Sequence, residues 1–205
     1  MGIEVTVPRL PDPGHLAVRK SGKWRLYRID APERPGTTVI YPGAFNPLHA
    51  GHRRIAQVAQ QRTGKPAEFE ISVVNVDKPP LSYAEVARRV QQFPPEAIVW
   101  LTRAPTFADK SRAFPGCTFL VGADTLMRIA DVRYYDHQPD RRSKAIHEIA
   151  ANGCRFLVFG RLIGARFCSL EQLQLPDDLR ALCEAVPAEE FRFDISSTAL
   201  RARKP

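Results

Sequence analysis

Several familiar catalytic signatures are missing from this 205-residue sequence, and each absence removes a class of chemistry. There is no GxxxxGK[ST] loop, no GxGxxG fingerprint and no HExxH pair, which argues against a P-loop kinase, a dinucleotide-type Rossmann site and a zinc hydrolase. The four cysteines (Cys117, Cys154, Cys168, Cys183) form no CxxC pair. Neither a zinc cluster nor a disulfide framework is expected, and reduced thiols in a cytoplasmic protein are. Cys117 and Cys154 lie in apolar runs and read as small buried hydrophobes. No apolar run approaches the length of a membrane span, and MGIEVTVPRL lacks the layout of a secretory signal, so no membrane partner is expected. Aromatic residues make up only 9% of the chain. They fall mainly in apolar runs and are not interleaved with arginines, which argues against a platform for stacking nucleic-acid bases.

What is present is ordinary globular composition, 44% hydrophobic and 25% charged, with a net charge of +8 and a pI near 9.6. That balance suits anionic ligands. Most of the cations are arginines, whose planar fork matches phosphate. The pairs Arg53–Arg54, Arg88–Arg89 and Arg141–Arg142 are read as solvated helix faces.

Residues 1–37 look like an extension. Prolines and a glycine punctuate its start. HLAVRK and WRLYRI flank a glycine-containing turn, which predicts a β-hairpin, and a proline-rich linker follows at 31–36. A second domain, 38–205, carries the alternation of an α/β fold. Strands are predicted at 38–43, 68–77, 97–102, 117–122, 154–160 and 191–195. Helices are predicted at 49–61, 82–93, 106–113, 123–130, 141–151, 177–185 and 196–203. Ser82 and Glu85 have the spacing of a capping box. Short continuous apolar strands between helices predict a mostly parallel sheet covered on both faces, a Rossmann-like three-layer α/β/α sandwich with an N-terminal hairpin. Ligands in such folds sit beyond the carboxyl ends of the strands, at the switch point.

Polar candidates cluster at those ends. Gly43 allows a tight turn and a close backbone approach to phosphate. His49 and His52 are three apart, so in a helix they share a face, at its positive end. A metal pair, two ordinary histidines and phosphate-binding imidazoles compete for them. The last is preferred, because HxxH without a third ligand is a weak metal signal. Gly51 between them leaves room for a base or ribose. Ser197, Thr198 and Arg201 open the last predicted helix, where hydroxyls either cap the helix or grip phosphate.

GAFNPLHAGH (43–52) resembles the GxFxPxHxGH signature of the nucleotidylyltransferase superfamily, and ISSTALR (195–201) resembles its second signature, ISSTxxR. VGADTLMRI resembles the GxD segment after the fourth parallel strand. The nicotinamide/nicotinate mononucleotide adenylyltransferases are the branch the chain is most similar to, over about 38–203. This resemblance implies in-line attack of a mononucleotide phosphate on the α-phosphate of ATP, with Mg²⁺ carried by the polyphosphate and pyrophosphate leaving. It implies catalytic roles for His49, His52, Arg201 and Lys78. Gly43, Ala44, Phe45, Asn46, Gly51, Gly122, Asp124, Ser197 and Thr198 would contact ATP. Thr106, Lys110 and Tyr135 would contact the acceptor, Tyr135 standing where relatives stack a tryptophan. Asn46, where bacterial nicotinate enzymes usually carry aspartate, tilts the resemblance toward nicotinamide chemistry. The acceptor region 104–116 departs from the family pattern. A cytidylyltransferase acting on another small phosphorylated acceptor, and a non-catalytic nucleotide- or RNA-binding module, stand as alternatives. Homo-oligomerisation and a functional link to a nicotinamide-nucleotide deamidase are left open by the resemblance.

Overall fold

A continuous apolar run, Leu16–Val18, commits the first described strand to the sheet. The computed structural model describes residues 11–12, 14–30, 38–164 and 166–192. β1 (His15–Lys20) and β2 (Lys23–Arg28) form an antiparallel hairpin about Ser21 and Gly22, both at positive φ. The hairpin does not stand apart as an appendage. β1 pairs antiparallel with β5 (Val99–Thr102), and Leu16, Ala17 and Val18 are buried there. The run HLAVRK is too apolar to leave uncovered, and an edge of the sheet covers it.

The next strands are β3 (Val39–Pro42), β4 (Glu68–Ser72), β6 (Thr118–Gly122), β7 (Arg155–Phe159) and β10 (Cys183–Val186). The eight-stranded order is β10-β7-β6-β3-β4-β5-β1-β2. All strands from β3 to β10 in this sheet pair parallel. The chain moves outward from β3 through β4 to β5, then returns to the other side of β3 for β6. The order therefore reverses between β3 and β6, which opens a crevice at their carboxyl ends.

Two apolar clusters lie on the two faces of the sheet. One face carries α1 (Ala50–Thr63) and α2 (Tyr83–Val90), through Ile55, Val58 and Ala59 and through Val86 and Val90. The other carries α3 (Phe107–Ala113), α4 (Ala123–Ala130), α5 (Pro139–Ala151) and α6 (Asp177–Arg180). This is the mostly parallel three-layer α/β arrangement. Among the described residues no helix is long and apolar enough to cross a membrane. Cys117 and Cys154 are buried, and neither forms a disulfide among the described residues.

Several boundaries differ from the sequence reading. The predicted helix 177–185 is helical only over Asp177–Arg180, and Cys183–Val186 pairs with Phe156–Phe159. A short apolar stretch is ambiguous by pattern, and the otherwise open edge of β7 recruits it. The predicted strand 68–77 ends at Ser72. Val73 N–H still bonds Thr102 O, and Leu81 N–H returns to Val73 O, so 75–80 forms an exposed loop. Ser82 does cap α2 by accepting Glu85 N–H, but the Glu85 carboxylate turns to arginines and does not close the box. A small hairpin of β8 (Arg161–Ile163) and β9 (Arg166–Cys168) was not anticipated. Phe191 and Arg192 are not in a strand, and 193–203 lies outside the described residues.

Arg19, 1% exposed on β1, donates from Nη2 to Pro94 O at 2.8 Å and Phe93 O at 3.3 Å. Gly22 N–H adds a bond to Pro95 O. These contacts fasten the hairpin to the segment that ends α2. Truncating Arg19 to alanine strands the buried Phe93 carbonyl and frees the part-buried Pro94 one, and is expected to cost about 1–3 kcal/mol, read as a lower urea midpoint. An unchanged midpoint would mean that the hairpin is held by its apolar face alone.

Candidate active site at the switch point

The loop after β3 is built over a buried phenylalanine. Gly43 N–H bonds Glu70 O, and the chain turns through Phe45 at φ 44 into a cis Asn46–Pro47 peptide. The Phe45 side chain, 1% exposed, drops into an aromatic cluster of Tyr41, Phe69, Phe93 and His52. A Cβ on Gly43 would come within 2.6 Å of Phe45 Cζ. The glycine is therefore required by the ring packed beneath it. Gly43 was expected to allow close approach of phosphate, and Phe45 to be one of four loop residues offering backbone and side-chain contacts to ATP. The buried ring leaves Phe45 only its backbone to offer.

Helix α2 holds this loop in shape. The Gln92 amide accepts Leu48 N–H at 2.8 Å and donates to Phe45 O at 3.0 Å. Arg89 donates to Ala44 O at 3.0 Å, and Arg88 to the Asn46 side-chain oxygen at 2.7 Å. Glu85 joins the two arginines, and its ion pair with Arg88 first of all holds its carboxyl down at about 2. The Asn46 side chain is thus tied to α2. The sequence offered a hint in its Arg88–Arg89 pair, but helix-surface spacing made that look like solvated charge.

His49 is the N-cap of α1, and His52 stands in its first turn. Their rings stack at 3.8 Å between centroids. His49 N–H donates to His52 Nδ1 at 3.2 Å, which assigns the His52 ring proton to Nε2. Burial, then His49, then Arg161 push the His52 pKa down to about 3. Burial and Arg161 also lower that of His49, whose Nδ1 is buried with no hydrogen bond among the described residues. His52 is consequently a neutral imidazole with a fixed N–H, able to donate to a phosphoryl oxygen without first losing or gaining a proton.

Across the crevice, β6 delivers Gly122 to the start of α4. A Cβ on Gly122 would lie 2.6 Å from Asp124 Oδ1, so the glycine makes room for that carboxylate. Arg161 Nε lies 3.5 Å from Asp124 Oδ1, which is buried and has no hydrogen bond among the described residues. Arg161, in the unanticipated hairpin just after β7, acts electrostatically on His49, His52 and Tyr41. It obeys the same strand-end rule that flagged the other candidates, and nothing in its local sequence marks it further.

Beside the loop lies a cavity of about 350 Å³, lined by Gly43, Ala44, Glu70, Lys78, Arg89, Thr106, Lys110, Arg128 and Tyr135 among others. All three expected acceptor residues reach its wall, with modified roles. The Thr106 hydroxyl caps α3 by accepting Asp109 N–H. The Tyr135 hydroxyl donates to Ile129 O at 3.0 Å, which fixes its ring. The Lys110 ammonium is not available as expected. It is buried and spends its donors on Glu70 Oε1 and Oε2 and on Ala104 O. Burying either charge alone would be prohibitive, so the pair forms and becomes a structural part of the wall. Lys78 lies in the exposed loop after β4.

Gly51 is buried in the first turn of α1. Ser197, Thr198 and Arg201 lie outside the described residues. The model of the cytidylyltransferase-like family matches residues 40–203, most of the chain. The chain belongs to that family, which supports nucleotidyl transfer as its general chemistry. A search of curated proteins finds no match.

Because the folded pKa of His52 lies below its unfolded value, the ring stays neutral as pH falls from 8 to 5. The unfolded chain takes up the proton near 6.5, so this group withdraws stability as pH falls below that value. The His52 Cε1–H resonance of the ligand-free protein is expected to be flat between pH 8 and 5. A midpoint near 6.5 would contradict the buried, neutral ring.

Proposed function

We propose that the protein transfers the adenylyl group of ATP to the 5′-phosphate of nicotinamide or nicotinate mononucleotide, giving an NAD-type dinucleotide and pyrophosphate. The observation that carries this reading is the stacked His49–His52 pair at the α1 N-terminus, set at the switch point beside a cavity large enough for a small ligand. A helix start offers unpaired N–H groups and the positive end of the dipole to a polyphosphate.

The reaction needs no covalent intermediate. An oxygen of the acceptor phosphate forms a bond to the α-phosphorus, the bond from the α-phosphorus to its bridging oxygen breaks, and pyrophosphate leaves with the electron pair. Charge grows on the oxygens around the α-phosphorus, and the His52 Nε2–H is a pre-oriented donor for one of them. Such steps depend on positioning and charge stabilisation more than on proton transfer. Mg²⁺ enters with the polyphosphate as part of the substrate. Asp124 Oδ1, which accepts no hydrogen bond among the described residues, offers an acceptor for a ribose hydroxyl or adenine edge. Tyr135, with its ring held at the cavity wall, offers a face for a pyridine ring. Ser197, Thr198 and Arg201 complete the grip on the outer phosphates in this reading.

Pyrophosphate release is expected on mixing the protein with MgATP and nicotinamide or nicotinate mononucleotide. A panel adding CTP as donor, and phosphocholine, glycerol phosphate and phosphopantetheine as acceptors, separates this reading from the cytidylyltransferase one. Silence with every pair would sink the reaction for these substrates. His52→Ala is expected to lower kcat by about 100-fold or more while changing ATP affinity far less. Equal losses in both would make His52 a binding residue only.

A further inference from the structure

Arg89 occupies a position that the reaction above leaves without a role. Its side chain is 11% exposed, it lines the cavity, and it also touches the loop that carries Gly43 and Ala44. Each terminal nitrogen of a guanidinium carries a pair of N–H donors. Arg89 directs Nε and Nη2 to Glu85 Oε1, and Nη1 to Ala44 O. A further N–H therefore remains on both terminal nitrogens, with no partner among the described residues. Glu85 is a single anion shared by Arg88 and Arg89, so the cluster keeps a net positive charge against the loop. The other buried cation of the cavity wall, Lys110, is neutralised by Glu70.

We propose that Arg89 is the binding residue for the phosphate of the acceptor, holding a phosphomonoester against the loop at the point where it must meet the α-phosphate of the donor. This rests on the nucleotidyl-transfer reading. A phosphomonoester is largely dianionic at neutral pH, so its attack requires no base but brings two anions together. A fixed guanidinium with a remaining N–H on each terminal nitrogen offsets that repulsion and offers charge-assisted donors to the phosphate oxygens. Glu85 and Ala44 O hold the fork in place before the acceptor arrives, so little ordering is left to be done on binding. The bond to Ala44 O also joins acceptor occupancy to the donor loop.

The test compares nicotinamide mononucleotide with its dephosphorylated nucleoside by calorimetry, on the wild type, Arg89→Gln and Arg89→Lys, with pyrophosphate release and ATP affinity measured in parallel. In the wild type the phosphate is expected to add tenfold or more to binding. Arg89→Gln is expected to abolish most of that gain and raise the KM of the acceptor correspondingly, with a smaller loss of ATP affinity from the released Ala44 carbonyl. Arg89→Lys, which keeps the charge but loses the fork, is expected to recover part of the gain. It carries the test alone if the glutamine variant does not fold. A phosphate gain equal to wild type in whichever variant folds, a loss of ATP affinity as large as that for the acceptor, or a wild type that binds both compounds equally or neither, overturns the assignment. Absence of pyrophosphate release by the wild type would instead overturn the proposed reaction, and the calorimetric comparison would still decide Arg89.

Discussion

Gln92 donates to one carbonyl and accepts from one amide of the loop after β3, and the geometry of the candidate site depends on that bridge. A loop that must bend sharply cannot satisfy its own backbone groups, so side chains elsewhere must do so. Here α2 and its C-terminal end supply them: Gln92 to Phe45 and Leu48, Arg89 to Ala44, Arg88 to the side chain of Asn46. The end of α2 is in turn fastened by Arg19 from the N-terminal hairpin. A chain of contacts thus runs from β1, outside the region that defines the family, through α2 to the loop that faces the crevice. The hairpin closes one flank of the sheet and braces the site from behind.

Beneath the loop, one phenylalanine sets two further features. The Phe45 ring occupies the space a Gly43 Cβ would need, and it packs edge-on against His52. The same burial that anchors the loop withdraws His52 from water and keeps it neutral. Positive charge is supplied instead by Arg161 and Arg89, while the histidine supplies a directed N–H. A fixed dipole and a fixed cation do different work on a phosphoryl group. The first points at one oxygen, and the second lowers the energy of the whole anion. Keeping the imidazole neutral avoids placing another full positive charge against Arg161 in a partly buried crevice.

Strand and helix order, the parallel sheet and the crevice at its reversal could be read from the chain, because continuous apolar runs and helical periodicity are local patterns. So could the candidates His49, His52, Gly122 and Asp124, which lie where strands end. The fate of 177–185 could not, since a short apolar run becomes helix or strand according to whether a sheet edge is available beside it. Lys110 looked like a ligand-binding cation because its partner, Glu70, lies forty residues away and meets it only across the fold. Arg161 went unnoticed because it sits in a hairpin with no distinctive local pattern, and its importance comes from proximity to α1 and α4.

The sequence by itself determined the fold class, the family and the strand ends where chemistry collects. Those follow from short-range pattern and from residues close together in the chain. The tertiary structure alone decided which charges are free and which are spent, why Gly43 must be glycine, and that an apparent N-terminal extension braces the site. These depend on contacts between residues far apart in sequence, and burial sets their energies. Among the described residues, Arg89 is where the two kinds of information meet: a helix-face arginine by pattern, and by packing a nearly buried cation at the boundary of loop and cavity.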